Sequence, residues 1–189
     1  MRIRYKACLL SCILITALMS GCAKNGTAAE NPATQETETP SDAEPEDAIL
    51  FEAQTLDGTT ITEALFTESR ITMVNVWATY CNPCLREMPG LGEIAGAYDP
   101  GDFQLIGIIS DVMEGSDEKT LQKAFDLVEQ TSADYPHLLL NESLYYSLLT
   151  EVSAVPTTFF VNQDGQILDT VVGSMEKSAW EEKINALLE

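Results

Sequence analysis

The chain has 189 residues and a formal net charge of −20 at pH 7. This length allows one ordinary folded domain with extensions. A chain so acidic repels the phosphate backbone of DNA and RNA, so the composition disfavours a nucleic-acid-binding function.

The N-terminal segment has the layout of a secretory signal. The basic stretch MRIRYK precedes an apolar run of 14 residues, ACLLSCILITALMS, which is short for a bilayer-spanning helix. The sequence then reads LMSGC, which resembles the lipobox of bacterial lipoproteins. This resemblance implies removal of residues 1–21 as a signal peptide and lipidation of Cys22. It also implies an extracytoplasmic protein anchored to the cell membrane. The alternative is an ordinary signal peptide cut further on, with Cys22 incidental.

Residues 22–48 are predicted to form a tether. After Cys22 this segment is rich in Ala, Thr, Glu and Pro and contains no bulky apolar residue. Such a segment cannot bury enough surface to offset the entropy lost on ordering, so we expect it to be disordered.

Cysteine usage singles out one pair. Of five cysteines, Cys8 and Cys12 leave with the signal peptide and Cys22 is acylated in the lipoprotein interpretation. Only Cys81 and Cys84 then remain as thiols. Outside the cytoplasm, a pair this close can oxidise to a disulfide.

Residues 49–189 are predicted to form a domain in which strands alternate with helices. Two extended runs around Asp57-Gly58 predict a β-hairpin over 51–62. The hydrophobic patterns predict strands at 70–78, 103–110, 137–140, 157–161 and 166–173, and helices at 82–98, 116–130, 142–149 and around Trp180–Leu188. This order indicates an α/β fold with a central, largely parallel sheet covered on both faces, and an antiparallel pair at one edge.

The C-x-x-C pair lies where a buried strand meets a helix. The unpaired N–H groups and the dipole at a helix N-terminus favour a thiolate, which makes Cys81 the natural nucleophile. Asn82-Pro83 forms the first turn and brings Cys84 back beneath Cys81. Cys84 is then shielded and can resolve a mixed disulfide formed by Cys81.

Metal binding is the competing use of these thiols. A structural zinc site needs four N or S ligands, and this domain offers two cysteines and His137. A cuprous ion can be held by two thiolates, so a thioredoxin-fold copper(I) chaperone stays open as an alternative. Such chaperones usually combine C-x-x-x-C with a histidine, whereas the spacing here is shorter.

The motif VNVWATYCNPC, residues 74–84, followed by Pro89 and by VPTTF at 155–159, resembles thioredoxin. Asn75, Glu87 and the N-terminal hairpin are more similar to the ResA/TlpA group of extracytoplasmic thiol–disulfide oxidoreductases. The resemblance covers 49–189. It implies a thioredoxin-like fold with a central mixed sheet flanked by helices and an N-terminal β-hairpin extension.

The resemblance also implies roles for individual residues. Pro156 is expected to be cis and to pack against the cysteine pair, with the Val155 backbone offering hydrogen bonds to an extended substrate. The substrate-binding rim is expected to be lined by Trp77, Tyr80 and Pro83. The alternative for Trp77 is a place in the core.

The acidic side chain after the cysteines is assigned a role by the same resemblance. Glu87 lies three residues after Cys84, and a carboxylate there can oppose thiolate formation and exchange protons with the thiols. The alternative is a solvated helix residue.

The predicted function is a membrane-anchored protein-disulfide reductase that needs no cofactor. We expect a monomer that acts on protein disulfides and is recharged by a membrane electron carrier of the CcdA/DsbD kind. A peroxiredoxin-type peroxidase is disfavoured because that family places Thr where this chain has Ala78, three residues before Cys81. The sequence leaves the direction of electron flow open.

Overall fold

A five-stranded mixed sheet forms the centre of the fold in the computed structural model, which describes residues 49–189. The strands are β1 (Glu52–Gln54), β2 (Thr60–Thr62), β3 (Ile71–Trp77), β4 (Phe103–Met113), β5 (His137–Leu140), β6 (Thr157–Asn162) and β7 (Ile167–Val172). The helices are α1 (Asn82–Ala95), α2 (Glu118–Thr131), α3 (Glu142–Leu144) and α4 (Lys177–Leu188). Helix α3 continues as a π-helical turn over Tyr145–Leu149, and a 3₁₀ helix occupies Glu63–Glu68.

The sheet has the strand order β5-β4-β3-β6-β7. Strand β3 pairs parallel with β4, and β4 pairs parallel with β5, while β6 and β7 add two antiparallel pairings. The parallel half arises because helices connect its strands, and the antiparallel edge arises because the tight turn around Gly165 connects β6 to β7. The predicted mixed sheet is confirmed.

The predicted N-terminal hairpin is also confirmed. Strands β1 and β2 pair antiparallel, and Gly58 in the turn has a φ of +88°, a conformation that glycine adopts without steric cost. A bridge between Thr55 and Leu138, with the Leu56 N–H donating to the His137 carbonyl at 2.7 Å, attaches the hairpin to β5. The hairpin therefore covers part of an otherwise open sheet edge.

Strand β3 is buried along its whole length, which explains its nearly continuous apolar sequence. One face packs into a core of side chains from α1 and α4, with Met88, Leu91, Trp180 and Ile184 among them. The other face packs on the hairpin and the Glu142–Leu149 segment. Asn75, in the middle of the strand, is the polar exception, and its partners belong to the candidate site.

The largest shifts from the predicted boundaries are at the ends of one helix and one strand, and one helix was not predicted. Helix α1 ends at Ala95 rather than residue 98, followed by Gly96, and β4 continues past residue 110 to Met113. The 3₁₀ helix was not predicted because its buried pair, Leu65 and Phe66, is too short a pattern to give a period.

The predictions for residues 1–48, namely the signal peptide, the lipidated Cys22 and the tether, lie outside the described residues. Within 49–189, no helix combines the length and the apolar character needed to cross a bilayer.

Candidate active site

Cys81 and Cys84 form a disulfide at the N-terminus of α1, with their Cα atoms 5.3 Å apart. Cys81 is the N-cap residue of the helix, and the backbone N–H of Cys84 donates to Cys81 Sγ at 3.2 Å. Pro83 lies in the first turn, where a missing N–H leaves no hydrogen bond unmade. Because this N–H belongs to a helix terminus, it can stabilise negative charge on Cys81 once the disulfide opens.

The two sulfurs differ in access, although less than the sequence suggested. Cys84 is fully buried, as predicted, and Cys81 is only 5% exposed. Cys81 is therefore the sulfur that a second molecule can reach, through a narrow opening.

The loop before β6 closes the other side of the opening. The Val155–Pro156 peptide bond is cis, which confirms the geometry that the resemblance implied. The carbonyl oxygen of Val155 lies 3.6 Å from Cys81 Sγ. No hydrogen bond found within 49–189 uses the Val155 N–H, so it can pair with the backbone of an extended segment laid across the disulfide.

An apolar cleft of about 250 Å³ lies beside this loop. Tyr80, 69% exposed, forms one wall. The remaining lining comes from the end of β4, the Glu142–Leu149 segment and the loop before β6: Ser110, Leu140, Tyr145, Leu149, Val152, Ser153, Ala154 and Val155. Sequence reasoning missed Tyr145, whose only signal was an adjacent pair of tyrosines in a short helix.

Trp77 does not line the rim, and the alternative of a place in the core is what the structure shows. Its side chain is fully buried, and its indole N–H donates to His137 Nδ1 at 3.1 Å. Because β3 is covered on both faces, its last residue still faces the core. Gly107 makes room for this pair, since a Cβ there would lie 2.3 Å from His137 Nδ1.

Both ring nitrogens of His137 have partners. Nδ1 accepts from Trp77, so the proton is on Nε2, which donates to the Ala133 carbonyl at 3.0 Å. Burial lowers the pKa of His137 to about 4, so the ring is neutral at pH 7. His137 is thus a satisfied core histidine.

Glu87 is buried on the inner face of α1, 7% exposed, so the alternative of a solvated helix residue is wrong. Its Oε1 accepts from Asn75 Nδ2 and its Oε2 accepts from the Met175 backbone N–H, both at 3.2 Å. Asn75 Nδ2 also donates to Thr158 Oγ1 at 3.0 Å. Asn75, the polar residue in the apolar strand β3, therefore binds the carboxyl group of Glu87.

The protonation of Glu87 is set mainly by its surroundings. Burial raises its pKa to about 7, although the hydrogen bonds from Met175 and Asn75 act in the opposite direction. A carboxyl group with this pKa can both accept and release a proton near neutral pH. A polar cleft of about 440 Å³, lined in part by Pro83, Arg86 and Lys177, connects it to solvent.

The chain is a thioredoxin-fold protein with a redox-capable cysteine pair. Three features define this class: the fold itself, the C-x-x-C disulfide at the start of α1, and the cis-proline loop that packs against the disulfide. The model of the AhpC/TSA family matches residues 45–170, and the chain belongs to that family.

Two proteins of similar sequence are named thiol-disulfide oxidoreductase ResA. The thiol-disulfide oxidoreductase ResA of Bacillus cereus is 28% identical over 108 residues, 57% of this chain and 58% of that protein. ResA of Halalkalibacterium halodurans is 28% identical over 115 residues, 61% of each chain. This chain thus spans about three fifths of the length of these relatives.

Among solved structures, a thioredoxin-family thiol:disulfide interchange protein from Chlorobium tepidum has a TM-score of 0.65 and 22% identity. The match covers 79% of this chain and 100% of that one. It establishes the similarity of the fold.

Proposed function

We propose that this chain is a thiol–disulfide oxidoreductase that reduces protein disulfides at Cys81 and Cys84. The observation that carries the proposal is the position of Cys81 Sγ, between a helix N-terminal N–H at 3.2 Å and the Val155 carbonyl of the cis-proline loop at 3.6 Å. An N–H there favours the thiolate, and the loop offers backbone groups to a substrate segment beside it. The similarity to proteins named ResA supports the same activity.

The reaction begins from the dithiol form. The Cys81 thiolate attacks one sulfur of the substrate disulfide, the substrate S–S bond breaks, and the departing substrate sulfur takes up a proton. Cys84 loses its proton and attacks Cys81 Sγ, which forms the intramolecular disulfide and releases the second substrate sulfur. Two electrons pass to the substrate, and the protein ends in the oxidised form that the structure shows.

We assign to Glu87 the role of taking the proton from Cys84. The two residues lie one helical turn apart and are both buried. Because the pKa of Glu87 is raised to about 7, its carboxylate is a stronger base than an exposed glutamate and can accept a thiol proton at neutral pH. The cleft beside Arg86 then lets that proton leave to solvent.

Substrate binding is assigned to the face around the cis-proline loop. The backbone of Val155 pairs with an extended substrate segment, Pro156 shapes the loop, and Tyr80 and Pro83 flank the opening. The adjoining apolar cleft accepts a side chain near the substrate cysteine.

The activity is tested by turbidity of insulin in the presence of dithiothreitol. We expect the protein to accelerate insulin precipitation, and a protein that does not is no disulfide reductase. The same preparation is titrated with Cu(I) and assayed for peroxide consumption, because these separate the chaperone and peroxidase alternatives.

The direction of electron flow is tested by equilibration with glutathione buffers. A reduction potential of about −270 mV, the value of thioredoxin, supports a reductase. A potential of about −120 mV, the value of DsbA, would make the protein an oxidant.

The physiological setting is proposed from the N-terminal sequence. Lipidation at Cys22 would hold a monomeric domain outside the cell membrane on its acidic tether, within reach of a membrane electron donor of the CcdA/DsbD kind. A reductase outside the cytoplasm needs such a donor, because reducing thiol systems are cytosolic.

Anchoring is tested at Cys22. We expect Cys22→Ala to prevent cleavage by the lipoprotein peptidase and acylation, since the cysteine is both the cleavage signal and the acceptor. Mass spectrometry of the mature N-terminus checks this. Cys12→Ala, within the signal, is the matched control and should be processed normally. An unmodified wild-type terminus anywhere in 23–30 would show that the lipobox interpretation is wrong.

A further inference from the structure

Beyond Trp77 the chain leaves the sheet before it reaches Cys81, so it needs support of another kind. The backbone pairing of β3 with β4 ends at Trp77 and Ile109. Two residues beyond each of these positions, the Thr79 N–H donates to Asp111 Oδ1 at 2.9 Å. A side chain near the end of β4 thus hydrogen-bonds to the segment between Trp77 and Cys81, past the point where the strand pairing ends.

The Thr79 hydroxyl adds two further hydrogen bonds. It donates to Asp111 Oδ2 at 2.5 Å and accepts from Lys123 Nζ, on α2, at 3.0 Å. One donated and one accepted bond form a consistent arrangement for a hydroxyl, and both partners carry charge. Thr79 is only 8% exposed, so this polar cluster fixes its side chain between β4 and α2.

Other contacts also hold the segment between Trp77 and Cys81, since Ser110 Oγ donates to the Trp77 carbonyl at 2.9 Å and Ala78 is fully buried. Tyr80 is 69% exposed, and the Cys81 N–H bonds locally, to the Ala78 carbonyl at 3.0 Å. Within this segment, Thr79 is the residue whose side chain is hydrogen-bonded to both β4 and α2, so its position contributes to the position of Cys81 Sγ relative to the Cys84 N–H.

We propose that Thr79, held by Asp111 and Lys123, is a positioning residue for Cys81 that keeps its sulfur against the N-terminus of α1. The proposal rests on the exchange reaction assigned to Cys81, but it concerns the reactivity of that sulfur and not the choice of substrate. Thr79 itself does not touch the reacting atoms.

The test is the alkylation of Cys81 in reduced full-length protein, followed by peptide mass spectrometry over pH 5–10. We expect Thr79→Val to slow the reaction of Cys81 with iodoacetamide at pH 7 about fivefold, the effect of losing one thiolate-stabilising hydrogen bond. The midpoint of the pH profile should move upward. This variant leaves unchanged the charged groups around the segment and the cysteines, which are Glu87, Asp111, Asp117, Glu118, Lys119, Lys123 and Asp126.

Two variants separate positioning from general stability. Thr79→Ser keeps the hydroxyl and should retain the wild-type profile. Thr67→Val removes a hydroxyl bond away from the site, from Thr67 Oγ1 to the Ala64 carbonyl at 2.8 Å at an exposed position of the 3₁₀ helix, and should leave Cys81 unaffected. Melting temperatures are recorded for all three variants.

A Thr79→Val profile equal to wild type overturns the proposal, whatever the melting temperature does. A Thr79→Ser profile as slow as that of Thr79→Val also overturns it, because the hydroxyl would then not be the group that matters. Failure of the proposed function is distinguishable. A wild-type protein that alkylates normally but does not reduce insulin contradicts the reductase activity and leaves the comparison between variants intact.

Discussion

Replacement of Cys81 by Ser should reduce disulfide exchange to the rate of the uncatalysed reaction, while Cys84→Ser should accumulate mixed disulfides with substrate. The reason is the difference in access, since Cys84 is fully buried and Cys81 is the sulfur at the opening. Without Cys84 the intermediate has no internal thiol to resolve it. Non-reducing gels of protein incubated with oxidised insulin, with insulin reduction assayed in parallel, provide the measurement.

The two variants act as controls for each other. Cys81→Ser keeps the buried thiol and should trap no substrate, and addition of dithiothreitol should release whatever Cys84→Ser has captured. Normal turnover by Cys84→Ser, or capture by Cys81→Ser at an equal level, would contradict the assignment of nucleophile and resolving thiol.

Replacement of Glu87 by Gln should change both the thiols and the pH dependence of stability. Above about pH 7 the buried carboxylate is charged and opposes thiolate formation on the neighbouring cysteines. Glutamine removes that charge, so thiol alkylation should shift to lower pH by about one pH unit. Exchange should nevertheless slow at neutral pH, because the group that accepts the Cys84 proton is gone.

Stability supplies an independent readout of the same variant. The folded-state pKa of Glu87, about 7, is higher than the ordinary value of 4.5, so the folded protein binds the proton more tightly. The resulting stabilisation is complete below about pH 4.5 and is lost as pH rises through 7. The free energy of unfolding of the wild type should therefore fall by up to about 3 kcal/mol between pH 5 and pH 8 through this group, and Glu87→Gln should abolish that fall. Denaturant unfolding at the two pH values provides the measurement.

Glu93→Gln, on the exposed side of the same helix, is the matched control. It should keep the wild-type alkylation curve and leave the unfolding difference between the two pH values unchanged. If Glu87→Gln gave alkylation curves superimposable on wild type, Glu87 would have no influence on the thiols.

Most of the fold could be predicted because its signals are local. The Asp57-Gly58 hairpin and the apolar run of β3 each follow from a few adjacent residues, and the C-x-x-C pair after that strand predicted the position of the disulfide. The cis peptide bond before Pro156 was predicted from the family resemblance.

The remaining features depend on contacts between segments distant in the chain. The family resemblance implied a place for Trp77 at the rim, with the core as the alternative. Trp77 lies in the core because β3 is covered on both faces, and there its indole N–H finds an acceptor in His137 on another strand. The burial of Glu87 likewise depends on Asn75 and Met175, 12 residues before it and 88 after it. The cluster around Thr79 also involves partners 32 and 44 residues away.

If Cys81 carries out the proposed exchange, its small exposed area bears on which disulfides can reach it. With 5% of this residue exposed, we expect a disulfide held rigidly inside a folded protein to reach Cys81 Sγ less readily than one in a locally unfolded, extended segment. Selection among substrates would then follow their folding state more than their amino-acid sequence, and native disulfides of neighbouring proteins would be spared because they are already packed away.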